Sequence, residues 1–253
     1  MKKIFLFIFL TISVISKAQS SKFNNLVEYT QTLNLGDGDW DIKYKLYFNK
    51  DISYYQENYG NKDREIKNEE DGTTNIILLT TENTANYYLT FLKTNRLLFG
   101  EQIAYDYYHF EENIPEIKWK ITDEIKTIGK YQCKKAIGKF RGRTYTTWYT
   151  EEIPANVGPW KLNGLGGLIL EARDDKGVFN VKATKIIIGK ETDLSKKLNK
   201  LLFISKRLNT NQYKTKKDKE DIEKINYINA KLPEGEPKFS IEDQAKREFI
   251  EIF

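Results

Sequence analysis

Cys133 and His109 each occur once among the 253 residues, which is the minimum for a Cys–His nucleophilic pair. Lys134 and Lys135 follow the cysteine and would lower the pKa of an exposed thiol. Cys133 also sits between Gln132 and Lys134 in a strand-like run, where cysteine behaves as a small buried hydrophobe, and that is the expectation here. His109, beside Phe110, Glu111 and Glu112, reads as a sheet-edge residue. One Cys and one His fall short of a zinc site. Asp37-Gly38-Asp39 and Asp174-Asp175 are acidic turns without the ligand order of an EF-hand, so neither metal nor cofactor is expected. Gly164, Gly166 and Gly167 miss the third spacing of GxGxxG, since residue 169 is Ile. Leu168-Ile169-Leu170 then runs on as a strand, where a phosphate loop needs a helix start. No GxSxG occurs. Glu151 and Glu152 point to opposite faces of a strand, which suits a hairpin end more than paired acid–base work.

What remains is aromatic surface. Trp40, Tyr44, Phe48, Tyr145 and Trp148 stand at strand-like positions, and a curled sheet lined by them could hold a lipid-like or other hydrophobic ligand. Trp40, Tyr44, Tyr145 and Trp148 are the ligand-binding candidates. A filled core is the competing expectation for the same residues.

The elements that would position them are strands. The even positions from Trp40 to Phe48 are all apolar, a period of two that puts five side chains on one face. Runs 26–33, 52–55, 76–80, 87–91, 96–110, 119–128 and 130–139 continue the pattern, with 58–74 as a polar loop. This spacing predicts a mainly β (α+β) fold: a curled antiparallel sheet or partly open barrel with C-terminal helices. After Ile188, Leu194, Leu198, Leu201, Leu202 and Leu208 recur at helical spacing, with Thr192 or Asp193 placed to cap the start. Ile222, Ile225 and Ile228 suggest a second helix, and Ser240-Ile241-Glu242-Asp243 a capped restart after Pro233 and Pro237.

Residues 1–18 read as a leader: Lys2 and Lys3, an apolar run from Ile4 to Ile15, and Ser16-Lys17-Ala18 as a small-x-small site cut after Ala18. With no Cys near the cut, lipoprotein acylation is not expected, and the periplasm or extracellular space is the expected location. Lys2, Lys3 and Lys17 leave with the leader, so 41 basic residues become 38 against 36 acidic ones. So balanced a chain has no strong pull on nucleic acid, and the run 214–224 interleaves Lys with Asp and Glu as a solvated helix face does. The expected organisation is the leader 1–18, an antiparallel β domain 19–190, and a Lys-rich helical addition 191–253 packed on the sheet.

One stretch carries a family resemblance. Tyr145 to Pro154 is followed by Gly158-Pro159-Trp160-Lys161 and Gly164-Leu165-Gly166-Gly167-Leu168-Ile169. Together with Cys133-Lys134-Lys135-Ala136 and Arg143…Trp148, it resembles the signature of the GLPGLI family, exported proteins of Gram-negative bacteria without an established activity. The hexapeptide here has Gly166 where that family has Pro. Leu-Pro-Gly-Leu is a type II turn sequence; Gly166-Gly167 can make that turn or a type I′ or II′ hairpin turn, and Gly166→Pro would stabilise the chain if the turn is type II.

These features point to a non-enzymatic envelope protein, a binding or accessory factor for a hydrophobic ligand or a membrane-associated partner such as an outer-membrane protein. The alternative is a hydrolase or other enzyme with a site near Cys133, Arg143, Trp148 and Glu151.

Overall fold

The structure is a computed structural model and describes residues 22–34, 39–59, 84–103, 106–238, 240 and 251. The expected leader 1–18, the strand 76–80, most of the loop 58–74 and the restart after Ser240 fall outside those residues.

Two antiparallel meanders build the sheet. The first contains β1 (Lys22–Asn34), β2 (Asp39–Phe48), β3 (Ile52–Glu57), β4 (Tyr87–Phe91), β5 (Arg96–Ile103) and β6 (Asp106–Asn113). The second contains β7 (Trp119–Ile128), β8 (Tyr131–Phe140), β9 (Arg143–Thr150), β10 (Leu168–Asp174) and β11 (Phe179–Asp193). Pairing of β1 with β11 joins them into one open sheet of order β6-β5-β4-β3-β2-β1-β11-β10-β9-β8-β7. The mainly antiparallel β fold expected from the strand spacing is the fold observed.

Turn chemistry sets the hairpins. Phe140 pairs with Arg143, and the two residues between them, Arg141 and Gly142, both have positive φ (47° and 73°). That is the type I′ pattern, whose twist matches the strands it joins. Left-handed backbone at an arginine costs energy, and Arg141 is held there by an ion pair 2.9 Å from Glu112 on β6. The same contact shows the curl, because β6 is one edge of the sheet and the β8–β9 hairpin lies near the other.

The concave face is filled. Tyr29, Tyr44, Tyr55, Tyr88, Phe99 and Phe110 form a cross-strand row from β1 to β6, with Tyr44 stacked on Tyr55 at 4.5 Å and Phe99 on Phe110 at 4.9 Å. Phe140, Tyr145, Trp160 and Phe179 pack the other half. Helix α2 (Thr210–Lys231) starts on an Asn209–Gln212 capping box and sends Tyr213 edge-on against Phe99 and Phe110.

The convex face of β3–β5 is also covered. Phe23, Ile52, Tyr54, Tyr87, Leu89, Phe91 and Leu98 pack there against α1 (Ser195–Leu202), which contributes Leu198 with Leu194 and Leu201 beside it. Asp193 accepts the Ser195 N–H at 2.8 Å just before α1. Of the Leu stripe, Leu202 is exposed, and Leu208 lies beyond the helix. Its N–H donates to the His109 carbonyl and its carbonyl accepts from Glu111, so it covers the open edge of β6.

Candidate functional site

Strand parity puts Tyr54 and Gln56 of β3, Tyr87 of β4, and Tyr107 and His109 of β6 on the convex face, opposite the core row. Between these side chains and α1 lies a cavity of about 220 Å³, closed on the helix side by Lys197, Lys200 and Leu201. Gly100 on β5 makes room for it. A Cβ there would stand 2.3 Å from the Tyr107 hydroxyl oxygen and 2.4 Å from the Tyr87 ring, so only glycine lets the two rings lie against the strand.

The polar groups of the cavity are mostly donors. Tyr107 donates to the Ala85 carbonyl at 2.7 Å, and the Tyr87 hydroxyl shares a 3.1 Å hydrogen bond with His109 Nδ1. Burial pushes both tyrosines well above the ordinary phenol range, so they keep their protons. His109 is held below its usual pKa, first by burial and then by the nearby Arg207 cation, which makes the imidazole neutral at neutral pH. Lys197 Nζ donates to Gln56 Oε1 at 2.6 Å and to the Tyr59 hydroxyl at 2.9 Å. Lys200 stands exposed at the mouth. Among the described residues no Asp or Glu lines this cavity.

A second polar cluster lies on the concave side. Lys161 Nζ, wholly buried, is 3.0 Å from Glu251 and 3.8 Å from Glu112, whose side chains are each 3% exposed. Arg141 bridges the same two carboxylates, and Tyr213 donates to this group through Glu101 at 2.8 Å and lies against Glu251. The Phe99 and Tyr213 rings face the ammonium at 3.9 and 4.5 Å. A void lined by Lys161 among the described residues is about 10 Å³, room for one water at most. This cluster ties β6 to the β8–β9 hairpin and to the loop that carries Lys161.

The residues singled out from the sequence scatter. Tyr44 and Tyr145 are buried in the filled concave core, while Trp40 is 45% exposed at the start of β2. Trp148 faces away from Tyr145, because the two differ by an odd number on one strand, and carries Lys126 Nζ 4.6 Å above its ring. Cys133 is buried, its Sγ 3.7 Å from the Tyr131 carbonyl, and burial pushes its thiol up to about 11. It lies on β8 while His109 on β6 pairs with Tyr87, so the two do not form a nucleophilic pair. Arg143 is locked on Asp174 at 2.7 Å with both side chains buried, and Glu151 sits exposed on Lys134.

The stretch from Pro154 to Ile169 is a structural connection. Pro159 accepts the Leu162 N–H, and a Cβ on Gly158 would reach 2.7 Å from the Leu162 carbonyl. Trp160 takes φ 55° and drives its ring into the core, and the Gly164 N–H donates to Asn156 at 2.6 Å. Leu165, Leu168 and Ile169 are buried. Of the turns open to Gly166-Gly167, type II is excluded and a primed turn, with positive φ at its first central residue, is compatible. Gly166 has φ 67°, which proline cannot adopt, and Gly167 packs where a Cβ would stand 2.3 Å from the Thr150 carbonyl. The hexapeptide with Pro at this position does not fit this backbone.

Sequence reading passed over the convex pocket. Two signals pointed to it: a glycine inside a strand at 100, and alternation of Tyr107 and His109 with Tyr108 and Phe110.

The family described as N-glycanase peptide, N-terminal domain, matches residues 63–226. Two solved structures of PNGF-II, in the C2 and P21 space groups, are similar to the chain with TM-scores of 0.50 and 0.52, both at 17% identity. They cover 78% and 79% of this chain, which spans 33% and 34% of theirs, about a third of their length. At that identity the likeness is one of fold. A comparison with curated proteins gives no match. The family match overturns the GLPGLI resemblance, and with it the expectation of a non-enzymatic binding or accessory protein for a hydrophobic ligand; the enzyme-related alternative fits better. With well over half of its residues matched, the chain belongs to the N-glycanase peptide, N-terminal domain family.

Proposed function

We propose that this chain works in the enzymatic removal of N-linked glycans, as a domain of an N-glycanase-type hydrolase, and that its convex pocket engages one sugar of the glycan. The observation that carries this is the family match, whose range 63–226 includes Tyr87, Gly100, Tyr107, His109, Lys197 and Lys200. The pocket chemistry supports it. Tyrosine rings offer flat apolar surface to the C–H face of a sugar ring, while hydroxyl and amide groups fix its hydroxyls. A volume of about 220 Å³ lies below the roughly 300–1,000 Å³ of drug-sized sites, which suits a single ring. No Asp or Glu lines this pocket among the described residues to serve as general acid or base, so we assign it to recognition. Export by the leader 1–18 is part of the same proposal.

Two measurements test it. Disrupting the gene should lower, severalfold, the release of glycans from an N-glycosylated protein added to the producing cells, read by mass spectrometry. The purified full chain should bind that glycoprotein at least tenfold more tightly than the same protein stripped of its glycans. Unchanged release overturns the enzymatic role, and equal binding overturns the assignment of the pocket.

A further inference from the structure

The charged side chains that line the convex pocket among the described residues are lysines. Lys197 and Lys200 stand three residues apart on α1 and line the pocket together. Arg207 lies close enough to act on both His109 and Tyr87. Glu57 and Glu101 lie close enough to act on Tyr107, but the carboxylates on these elements are engaged by their own partners. Glu57 accepts the Asn86 N–H, Glu101 accepts from Tyr88 and Tyr213 on the concave side, Glu111 pairs with Arg96, and Asp193 holds Ser195. The lysine ammonium has three N–H donors, and Gln56 and Tyr59 take two from Lys197, which leaves one to aim at a ligand. Apolar ring walls and two lining ammonium groups, with no carboxylate among the described lining residues, make a site that prefers an acceptor-rich anion over a neutral polyol.

Resting on the sugar-pocket reading above, we infer that the pocket between α1 and the β3–β4–β6 face selects an acidic sugar, one whose ring carries a carboxylate. The carboxylate would meet Lys200 and the remaining Lys197 donor at the mouth, with the ring against Tyr87 and Tyr107. Nothing in this step makes or breaks a bond; it is recognition.

Calorimetric titration of the purified full chain with glucuronate, glucose and inorganic phosphate separates the possibilities, because the first two differ only at the carboxylate. Glucuronate should bind at least tenfold more tightly than glucose, lose several-fold affinity at high ionic strength, and fall to the glucose level in Lys200→Gln. Lys200 is exposed, so that variant should melt with the wild type. Equal affinity for glucuronate and glucose, or a Lys200→Gln variant that keeps the preference, overturns the selection for acid and leaves the sugar pocket standing. Phosphate binding as tightly as glucuronate, with glucose undetected, overturns both readings in favour of a plain anion site. No binding by any of the three also overturns both.

Discussion

Lys161→Met is the sharpest test of what holds the curled sheet together. Its ammonium is wholly buried 3.0 Å from Glu251 and 3.8 Å from Glu112. At an effective dielectric of about 20, a unit pair at 3.0 Å attracts by about 5.5 kcal/mol, most of it offset by desolvation in the intact protein. Removing only the lysine keeps the desolvated carboxylates and leaves Arg141 as the cation shared by both, with the Tyr213 and Thr210 hydroxyls donating to Glu251 and Glu112. Breaking one partner of such a buried group costs about 3–5 kcal/mol. For a chain of this size that is about 6–20 °C in Tm, at roughly 2–4 °C per kcal/mol. Urea and thermal unfolding followed by circular dichroism would measure it. The double variant Lys161→Met/Glu251→Gln removes a charge from each side, and its loss should fall short of the sum of the singles by about 1–3 kcal/mol. A single-variant loss under about 1 kcal/mol, or additivity within about 0.5 kcal/mol, would refute the claim that these groups form one buried unit.

Other outcomes follow from individual residues. Gly166→Ala has nothing within 4 Å of its new Cβ, so its cost of about 1–2 kcal/mol is backbone alone, and Gly166→Pro should cost more; a rise in Tm for the proline variant would contradict the φ of 67°. His109 is held below its ordinary 6.5, so on acidification the unfolded chain takes up a proton first. The stability from keeping this imidazole neutral is full above pH 6.5 and is lost as pH falls toward the folded pKa. Melting curves should show a drop as pH falls below about 6.5 that shrinks in His109→Gln; an unchanged drop would show that other groups cause it. Cys133, buried with its thiol at about 11, should react with a thiol reagent only as fast as the chain opens, and rapid labelling of the native protein at neutral pH would refute its burial.

Much of the fold was legible because side-chain period encodes strand facing. The even positions 44, 46 and 48 of β2 are buried as alternation predicts, and His109 does lie on an edge strand. Strand β3 carried a further signal that went unused. Ile-Ser-Tyr-Tyr-Gln-Glu is buried at every position, with Tyr54 and Tyr55 on opposite faces, so a layer had to cover each side. The covering layer on the convex side is α1, and the pocket lies in the gap it leaves. Parity also argued against pairing Tyr145 with Trp148 as one lining, since three residues apart on a strand means opposite faces. The Lys161–Glu251–Glu112 cluster was not legible. Its members come from a loop, the chain near its last residues and an edge strand, and local periodicity carries no information about residues 90 positions apart.

His109 is the sole histidine, so its imidazole C–H resonances report on the convex pocket without assignment. Titrating the full chain with an N-glycosylated peptide should shift those resonances in a saturable way, while the same peptide without its glycan leaves them in place. Resonances that stay fixed through the glycopeptide titration, or move equally with the bare peptide, would contradict the assignment of this pocket to the glycan.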